Sequence, residues 1–512
     1  MVSPPLKQIF LAAVLAKYSL AAILARPKDL PRTNFDFVVV GGGTAGLVVA
    51  NRLAENPRYS VLVIEAGGTN VGVFNSEVPF FNSRLFNTPA DWNYTTAPMT
   101  GLGGRSMSYP QGHILGGTSS MNGLAYTRGS SDDYDRYAKL TKDSGWSWKN
   151  IQPYLRRNER WTAPADHHNT TGEFDPSVHS FHGINAAASE LPEFSFNLDM
   201  NSGNTIGIGW TQSTINAGVR SSSAVSYLAP KFAQRPNLHV LTGSRVTRVF
   251  RTGTAKGIPV FRGVEFADDT SRGAGPRKRI IATKEVILSG GALGTPHILQ
   301  NSGIGDSAHL SKVGVKPLVH LPSVGQNLTD HAFVANTWLV NSTDTFETAL
   351  RNATLMEEQT REWNATHMGP YAAGTFNVAG WLRLPDNSTI FNEFKDPSAG
   401  PHGAHYEFII ANGATRLPIP PPGNFMVIGT AVVTPLSRGS VVINSSNPFD
   451  PPIVNPNLLD SPFDIFVMRE AIRASRRFAQ APAFADYVIN LVDTAVTDDE
   501  LDTFIRNSKT MG

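Results

Sequence analysis

No cysteine occurs among the 512 residues. That excludes disulfides, zinc–thiolate centres, thiol redox chemistry and thioether-linked cofactors. An excess of one charge is also lacking: 44 Lys and Arg stand against 42 Asp and Glu, for a net charge of +2. Composition therefore offers no electrostatic case for a nucleic-acid partner or an anionic membrane. Its one basic run, Arg277-Lys278-Arg279, follows Gly273-Ala274-Gly275-Pro276 and reads as a solvated hairpin end. Long apolar runs are missing too. Ile9–Ala16 and Tyr18–Ala25 are separated by Lys17, and neither reaches the roughly 20 residues a membrane span needs. No G-x-S-x-G elbow is present, which leaves a serine hydrolase with little support.

What is present is globular. A chain with 41% hydrophobic and 17% charged residues can bury a large core, and its length fits two to three domains. Lys7, the apolar stretches, and Ala21, Ala22 and Ala25 before Arg26-Pro27-Lys28 read as a signal peptide over residues 1–25. A short amphipathic leader or membrane anchor is the alternative. Asn-x-Ser/Thr sequons at Asn93, Asn169, Asn327, Asn341, Asn352, Asn364, Asn387 and Asn444 agree with export, although a chain this long contains several by chance. The expectation is a secreted, extracellular protein without a membrane span.

Phe35-Asp36-Phe37-Val38-Val39-Val40 has the pattern of a buried parallel strand. Gly41-Gly42-Gly43-Thr44-Ala45-Gly46 follows and satisfies G-x-G-x-x-G. A helical stretch to Leu53 and a second strand, Ser60–Ile64, lead to Glu65 and Ala66. Gly41 permits the tight turn, Gly43 lets backbone approach a pyrophosphate, and Gly46 allows close helix–strand packing. The helix N-terminus offers the Thr44 and Ala45 amides to phosphate. Glu65 sits where a carboxylate accepts hydrogen bonds from a ribose and would repel a 2′-phosphate. Strand, loop, helix, strand and carboxylate within about 30 residues specify dinucleotide binding, leaving FAD and NAD both open.

Three further segments carry a resemblance. Tyr109–Gly123 contains Gly112-His113-Ile114-Leu115-Gly116-Gly117-Thr118-Ser119-Ser120-Met121-Asn122-Gly123, which resembles the first glucose–methanol–choline (GMC) oxidoreductase signature. Gly291–Gly305 resembles the second, and Val324–His331 resembles the V-G-x-N-L-x-D-H segment of the same family. Phe174-Asp175, Arg220-Ser221-Ser222-Ser223 and Ser446–Asp450 look most like its fungal aryl-alcohol oxidase branch. The resemblance implies an α/β fold: a Rossmann-type FAD-binding domain with an interleaved α+β substrate domain carrying an antiparallel sheet. The FAD domain is expected over 35–165, 235–330 and 450–512, and the substrate domain over 166–234 and 331–449.

By resemblance Asn122, Gly123, Leu124 and Ala125 line the flavin, with Asn122 near its reactive side. Thr118 and Ser119 offer small donors, Trp92 approaches the cofactor, and the backbone of Val246 meets the adenine. Members with a histidyl-linked flavin carry histidine before this asparagine. Met121 stands there, so FAD is expected to be non-covalent. His297 reads as a packing or surface residue in a helix opened by Thr295-Pro296. His331 is more interesting, because its segment lies near the flavin in relatives. Asn327, in the same segment, is expected to be too buried for glycosylation.

Departures from the family also stand out. The helix over Asp498–Arg506 is followed in relatives by H-P-x-G-T, whose histidine is the proposed general base, whereas this chain ends Asn507–Gly512. The expectation is a C-terminally truncated member with no catalytic residue present, the family histidine positions lying beyond Gly512. A second gap falls between His182-Gly183 and Leu191-Pro192. Aryl-alcohol oxidases place a tyrosine where Gly123 stands, and a phenylalanine expected near Ala414-Thr415 is missing. The implied activity is oxidation of a primary alcohol, aryl or allylic among the candidates, to an aldehyde by hydride transfer to flavin N5, with oxygen or a quinone as acceptor. The alternative is a catalytically inactive FAD-binding relative.

Overall fold

The computed structural model describes residues 23–160, 162, 165, 192–271, 274–413 and 422–508. Phe174-Asp175, the gap after His182-Gly183, Asn169 and Ala414-Thr415 lie outside them. Strand β1 (Ile23–Leu24) leads to β2 (Asn34–Val40), helix α1 (Thr44–Leu53) and β3 (Val61–Ile64). Helices α2 (Ser131–Thr141) and α3 (Trp148–Arg157) precede β4 (Gly207–Trp210) and β5 (Leu238–Leu241). A meander follows: β6 (Ser244–Ala255), β7 (Ile258–Asp268) and β8 (Lys278–Leu288), then α4 (Gly291–Asn301). Next come β9 (Ala332–Val340), α5 (Ala353–Thr366), β10 (Val378–Leu382), β11 (Tyr406–Ala411) and β12 (Phe425–Val432). Then α6 (Pro462–Ala479), β13 (Val488–Leu491) and α7 (Asp498–Asn507) follow.

The first sheet has seven strands in the order β1-β5-β3-β2-β8-β7-β6. Strands β5, β3, β2 and β8 run parallel, with Val38 opposite both Leu62 and Val286. Their near-continuous Val, Ile and Leu content suits a sheet covered on both faces, and Val38, Val39, Val61, Leu62 and Val63 are fully buried. The expected α/β fold is present.

The second sheet is antiparallel, five strands in the order β10-β11-β12-β9-β13, and Ile206 beside β4 bridges to Trp381 at its edge. Period-two alternation sends Tyr406, Phe408, Ile428 and Val432 to one face, where Phe463, Met468, Ile472 and Phe478 of α6 meet them. Ser461 caps α6 and Pro462 occupies its first turn, where a missing N–H costs nothing. Thr497 and Glu500 form a capping box at the start of α7, and Leu501 and Ile505 enter the same core.

Several expectations need correction. Helix α4 begins at Gly291 and runs through Pro296. As the sixth residue, that proline forfeits only a bond near the helix start. Val246 lies in β6, at the edge of the sheet far from β5, with Gly243 at φ 62° between the two strands. Asn327 is exposed, with a left-handed φ of 59°, so burial does not protect its sequon. Ile23–Leu24 pairs with β5 as a short edge strand, which leaves the expected leader over residues 1–25 open. The basic run is an exposed hairpin end as expected, with Arg277 and Arg279 paired to the buried Glu265.

Met468 is completely buried against the second sheet. Met468→Ala is expected to cost about 2–5 kcal/mol of stability, read as a lower melting temperature in calorimetry.

Candidate functional site

The turn from β2 into α1 holds because side chains are missing. Gly41 has φ 98°, and a Cβ there would lie 2.4 Å from the Ser289 carbonyl oxygen. A Cβ on Gly46 would lie 2.0 Å from the Gly41 oxygen, the close packing expected of the third glycine. Gly117, at φ 55°, leaves room for a Cβ only 2.8 Å from the Gly43 Cα. Two glycine loops far apart in sequence thus lie back to back. No side chain caps the N-terminus of α1, and Thr44 and Ala45 are exposed there. This is the donor set a pyrophosphate requires.

Glu65 follows β3 and is buried. Its Oε2 accepts from the Gly42 amide and its Oε1 from the Gly67 amide, each at 2.7 Å. Burial pushes the carboxyl up, opposed by these two hydrogen bonds. Each oxygen keeps a second lone pair for a ribose hydroxyl. Ala66 beside it is half-buried. Backbone, uncapped helix end and carboxylate all fit an adenine dinucleotide.

Trp92 stacks on Tyr94 at 5.8 Å, touches the His113 ring at 4.4 Å, and has the Arg245 guanidinium 4.6 Å from its centroid. Arg245 and His113 both pair with Asp269. Val246 is the next residue, buried in β6 opposite Phe266. Trp92 and the residue before Val246 therefore share one cluster.

The loop over 116–125 is held by its own hydroxyls. Thr118 Oγ1 accepts from the Gly112 amide and donates to Gln111, while Ser119 Oγ donates to the Gly116 carbonyl and accepts from the Ser223 amide. The expected free donors are engaged in holding the loop. Asn122 and Gly123 are half-buried, Leu124 is buried at φ 72°, and Ala125 is exposed, bridging to Ser213. Met121 is buried.

The first signature and the V-G-x-N-L-x-D-H segment meet directly, because the Tyr109 hydroxyl donates to Asp330. His331, next in sequence, is exposed. His297 is pushed down to about 4 by burial and by Arg245, so it is neutral near pH 7 and suits packing. Among the described residues no cluster of His, Asp and Glu could hold a metal, and no helix is long and apolar enough to cross a membrane.

Three residues escaped the sequence reading. A Cβ on Gly123 would lie 3.2 Å from Phe376 Cε1, so an aromatic ring stands against the position where the tyrosine is missing. Glu407 lies in β11 between the buried Tyr406 and Phe408, so alternation turns it to the sheet face opposite α6. It is half-buried, and burial pushes its carboxyl up to about 7. Arg220 was visible as part of an Arg-Ser-Ser-Ser run, but nothing there marked it as a buried cation.

A model described as GMC oxidoreductase matches residues 35–333, and a second of the same description, for the C-terminal domain, matches 435–512. The chain belongs to the GMC oxidoreductase family. It is 40% identical to a pyranose dehydrogenase of Agaricus campestris, over 94% of this chain and 84% of that protein. It is 32% identical to a glucose dehydrogenase [FAD, quinone] of Drosophila pseudoobscura pseudoobscura, over 94% and 76%. A fungal aryl-alcohol oxidase structure superposes with a TM-score of 0.78 at 24% identity, over 94% and 88%, a likeness of fold alone. This GMC protein is therefore an FAD-dependent oxidoreductase of the class acting on CH–OH groups. The C-terminal GMC domain is represented at 435–512, so the expectation of a truncated member is not supported.

The ordinary carboxyl value lies near 4.3, so the folded protein binds the Glu407 proton more tightly than the unfolded chain does. That stabilisation is complete at acid pH and is lost as pH rises through about 7. Glu407→Gln should melt above the native protein at pH 8 and close to it at pH 5, measured by differential scanning fluorimetry. Coincident curves at both pH values would show that the carboxyl is not held protonated.

Proposed function

We propose that this GMC protein is a secreted dehydrogenase that binds FAD non-covalently and oxidises a CH–OH group of a pyranose sugar or a primary alcohol. The observation that carries the reading is the back-to-back packing of Gly43 and Gly117 over an uncapped helix end, with Glu65 buried beside it. Gly41, Gly43, Thr44, Ala45, Gly46, Glu65 and Ala66 would hold the ADP half. Trp92 and Val246 would lie at the adenine end, and Thr118 and Asn122–Ala125 along the flavin. Met121 in the position before Asn122 supports a non-covalent cofactor, because a buried thioether offers no nucleophile for a linkage.

Bound flavin supplies the two-electron acceptor for hydride from the carbinol carbon. The residues of this chain have other tasks. Phe376 covers one side of the 122–125 segment, and Glu407 would accept a hydrogen bond from a substrate hydroxyl. Likeness to the pyranose dehydrogenase supports a sugar over a benzylic alcohol, as does Gly123 in place of an aromatic wall. The same argument disfavours the aryl-alcohol oxidase branch. A quinone or oxygen would take the electrons away. Export is supported by the apolar leader, and the exposed Asn93, Asn341, Asn352, Asn364, Asn387 and Asn444 are accessible to glycosylation. We assign 35–165, 235–330 and 450–512 to the FAD domain, and 166–234 and 331–449 to the substrate domain.

The test is anaerobic. Purified protein is expected to carry flavin that acid precipitation releases, to bleach on adding glucose or galactose, and to recolour with benzoquinone. Gly43→Asp should remain folded by circular dichroism yet lose the flavin. Protein that purifies without flavin would end the proposal, and flavin that no sugar or alcohol bleaches would favour a non-catalytic relative.

A further inference from the structure

Arg220 is 2% exposed and has no carboxylate within ion-pair distance among the described residues. Its Nε donates to the Ser76 carbonyl at 2.8 Å. Its Nη1 donates to the carbonyl and to Oδ1 of Asn122, both at 2.9 Å, and to the Ser119 carbonyl at 3.3 Å. Nη2 is buried with no partner. Burial pushes the guanidinium down only to about 10, so the charge persists near neutral pH. Buried charges are ordinarily paired, and an unpaired one is expensive. This cation is bound through Ser119 and Asn122 by the loop that the FAD reading places along the flavin.

Asn122 shows what the contact does. Its Oδ1 also accepts from the Leu124 amide at 3.2 Å, so two donors occupy the amide oxygen. The Asn122 amide orientation is thereby fixed, and Nδ2 is left as a donor with no hydrogen-bond partner among the described residues. Leu124, held by this bond at φ 72°, occupies a conformation that bulky residues rarely adopt.

We infer that Arg220 is a positioning residue: it orients the Asn122 amide as a hydrogen-bond donor and places an uncompensated positive charge behind the flavin, favouring its reduced, anionic form. The inference rests on the FAD reading above. The carbinol C–H bond breaks, hydrogen moves to flavin N5 with both electrons, the hydroxyl proton leaves to a base or solvent, and the carbonyl forms. Bound FAD would take up both electrons and one negative charge, and a quinone or oxygen would take the electrons on. A fixed cation in a poorly solvated site stabilises that charge without reorganising.

The experiment uses flavin-loaded full-length protein and two readouts that need no turnover: the two-electron potential against a reference dye, and the dissociation constant for sulfite, which forms an anionic flavin adduct. Arg220→Gln should disfavour the reduced form at least about tenfold, a drop of about 30 mV, and weaken sulfite by a similar factor. Arg220→Lys keeps the charge and should stay within about threefold of the native protein. Asn122→Asp opposes a carboxylate to Nη1 and should fall like Arg220→Gln, so it decides the matter if the glutamine variant does not fold. Potentials of Arg220→Gln and Asn122→Asp within about threefold of native, or a fall in Arg220→Lys as large as in Arg220→Gln, would overturn the inference and leave a structural arginine. Native protein without flavin would overturn the FAD reading together with this one.

Discussion

The approach of Gly43 to Gly117 is the constraint on which the rest of the site depends. Gly117 stands at φ 55°, and a Cβ there would lie 2.8 Å from the Gly43 Cα. Ser289, at the end of β8, presses its carbonyl on Gly41 from the other side. Three segments from distant parts of the chain thus meet where only backbone fits. Sheet packing brings β2 and β8 side by side, but it is the missing side chains that let the 116–117 loop close over the helix end. A binding surface made of main-chain amides follows from that closure.

Holding such an open surface rigid falls to buried polar groups rather than to apolar packing. Gln300 in α4 is buried, donates to the Val441 carbonyl and accepts from the Ile443 amide, tying the second signature to a distant hairpin. Asp464, buried at the start of α6, accepts from the Leu436 and Ser437 amides and pins that helix to the end of the second sheet. Tyr109 and Asp330 do the same for the first signature. Each is satisfied on both sides, which is the condition under which buried polar groups specify one arrangement.

Legibility in the sequence followed the range of the interactions. The β2-α1-β3 unit is a local pattern, and it formed where the sequence placed it. Gly41, Gly43 and Gly46 act as their spacing implied. What went unread depends on partners far along the chain. The Thr118 hydroxyl has neighbours in the loop that bind it, Phe376 reaches Gly123 across some 250 residues of sequence, and Arg220 became a buried cation only through Ser76, Ser119 and Asn122. Asn327 differs for a related reason: its motif implies burial beside a cofactor, whereas the residue is exposed at a left-handed φ of 59°. Helix α4 shows the limit of local rules as well, since a proline in its second turn looked like a start and proved to be interior.

The chemistry of the substrate side follows from a contrast between the two faces of the second sheet. The α6 face is Phe, Tyr, Met and Ile, dry and closed. On the other face the pleat places Glu407 between buried aromatic neighbours, opposite Trp381 on one strand and Ala431 on the next. An acid in that position is costly unless something with hydroxyl donors arrives to satisfy it. A flat aromatic alcohol offers one hydroxyl, whereas a sugar offers several around its ring. On the proposed sugar-oxidising reading, selectivity on this scaffold would rest on hydrogen bonding rather than on ring stacking.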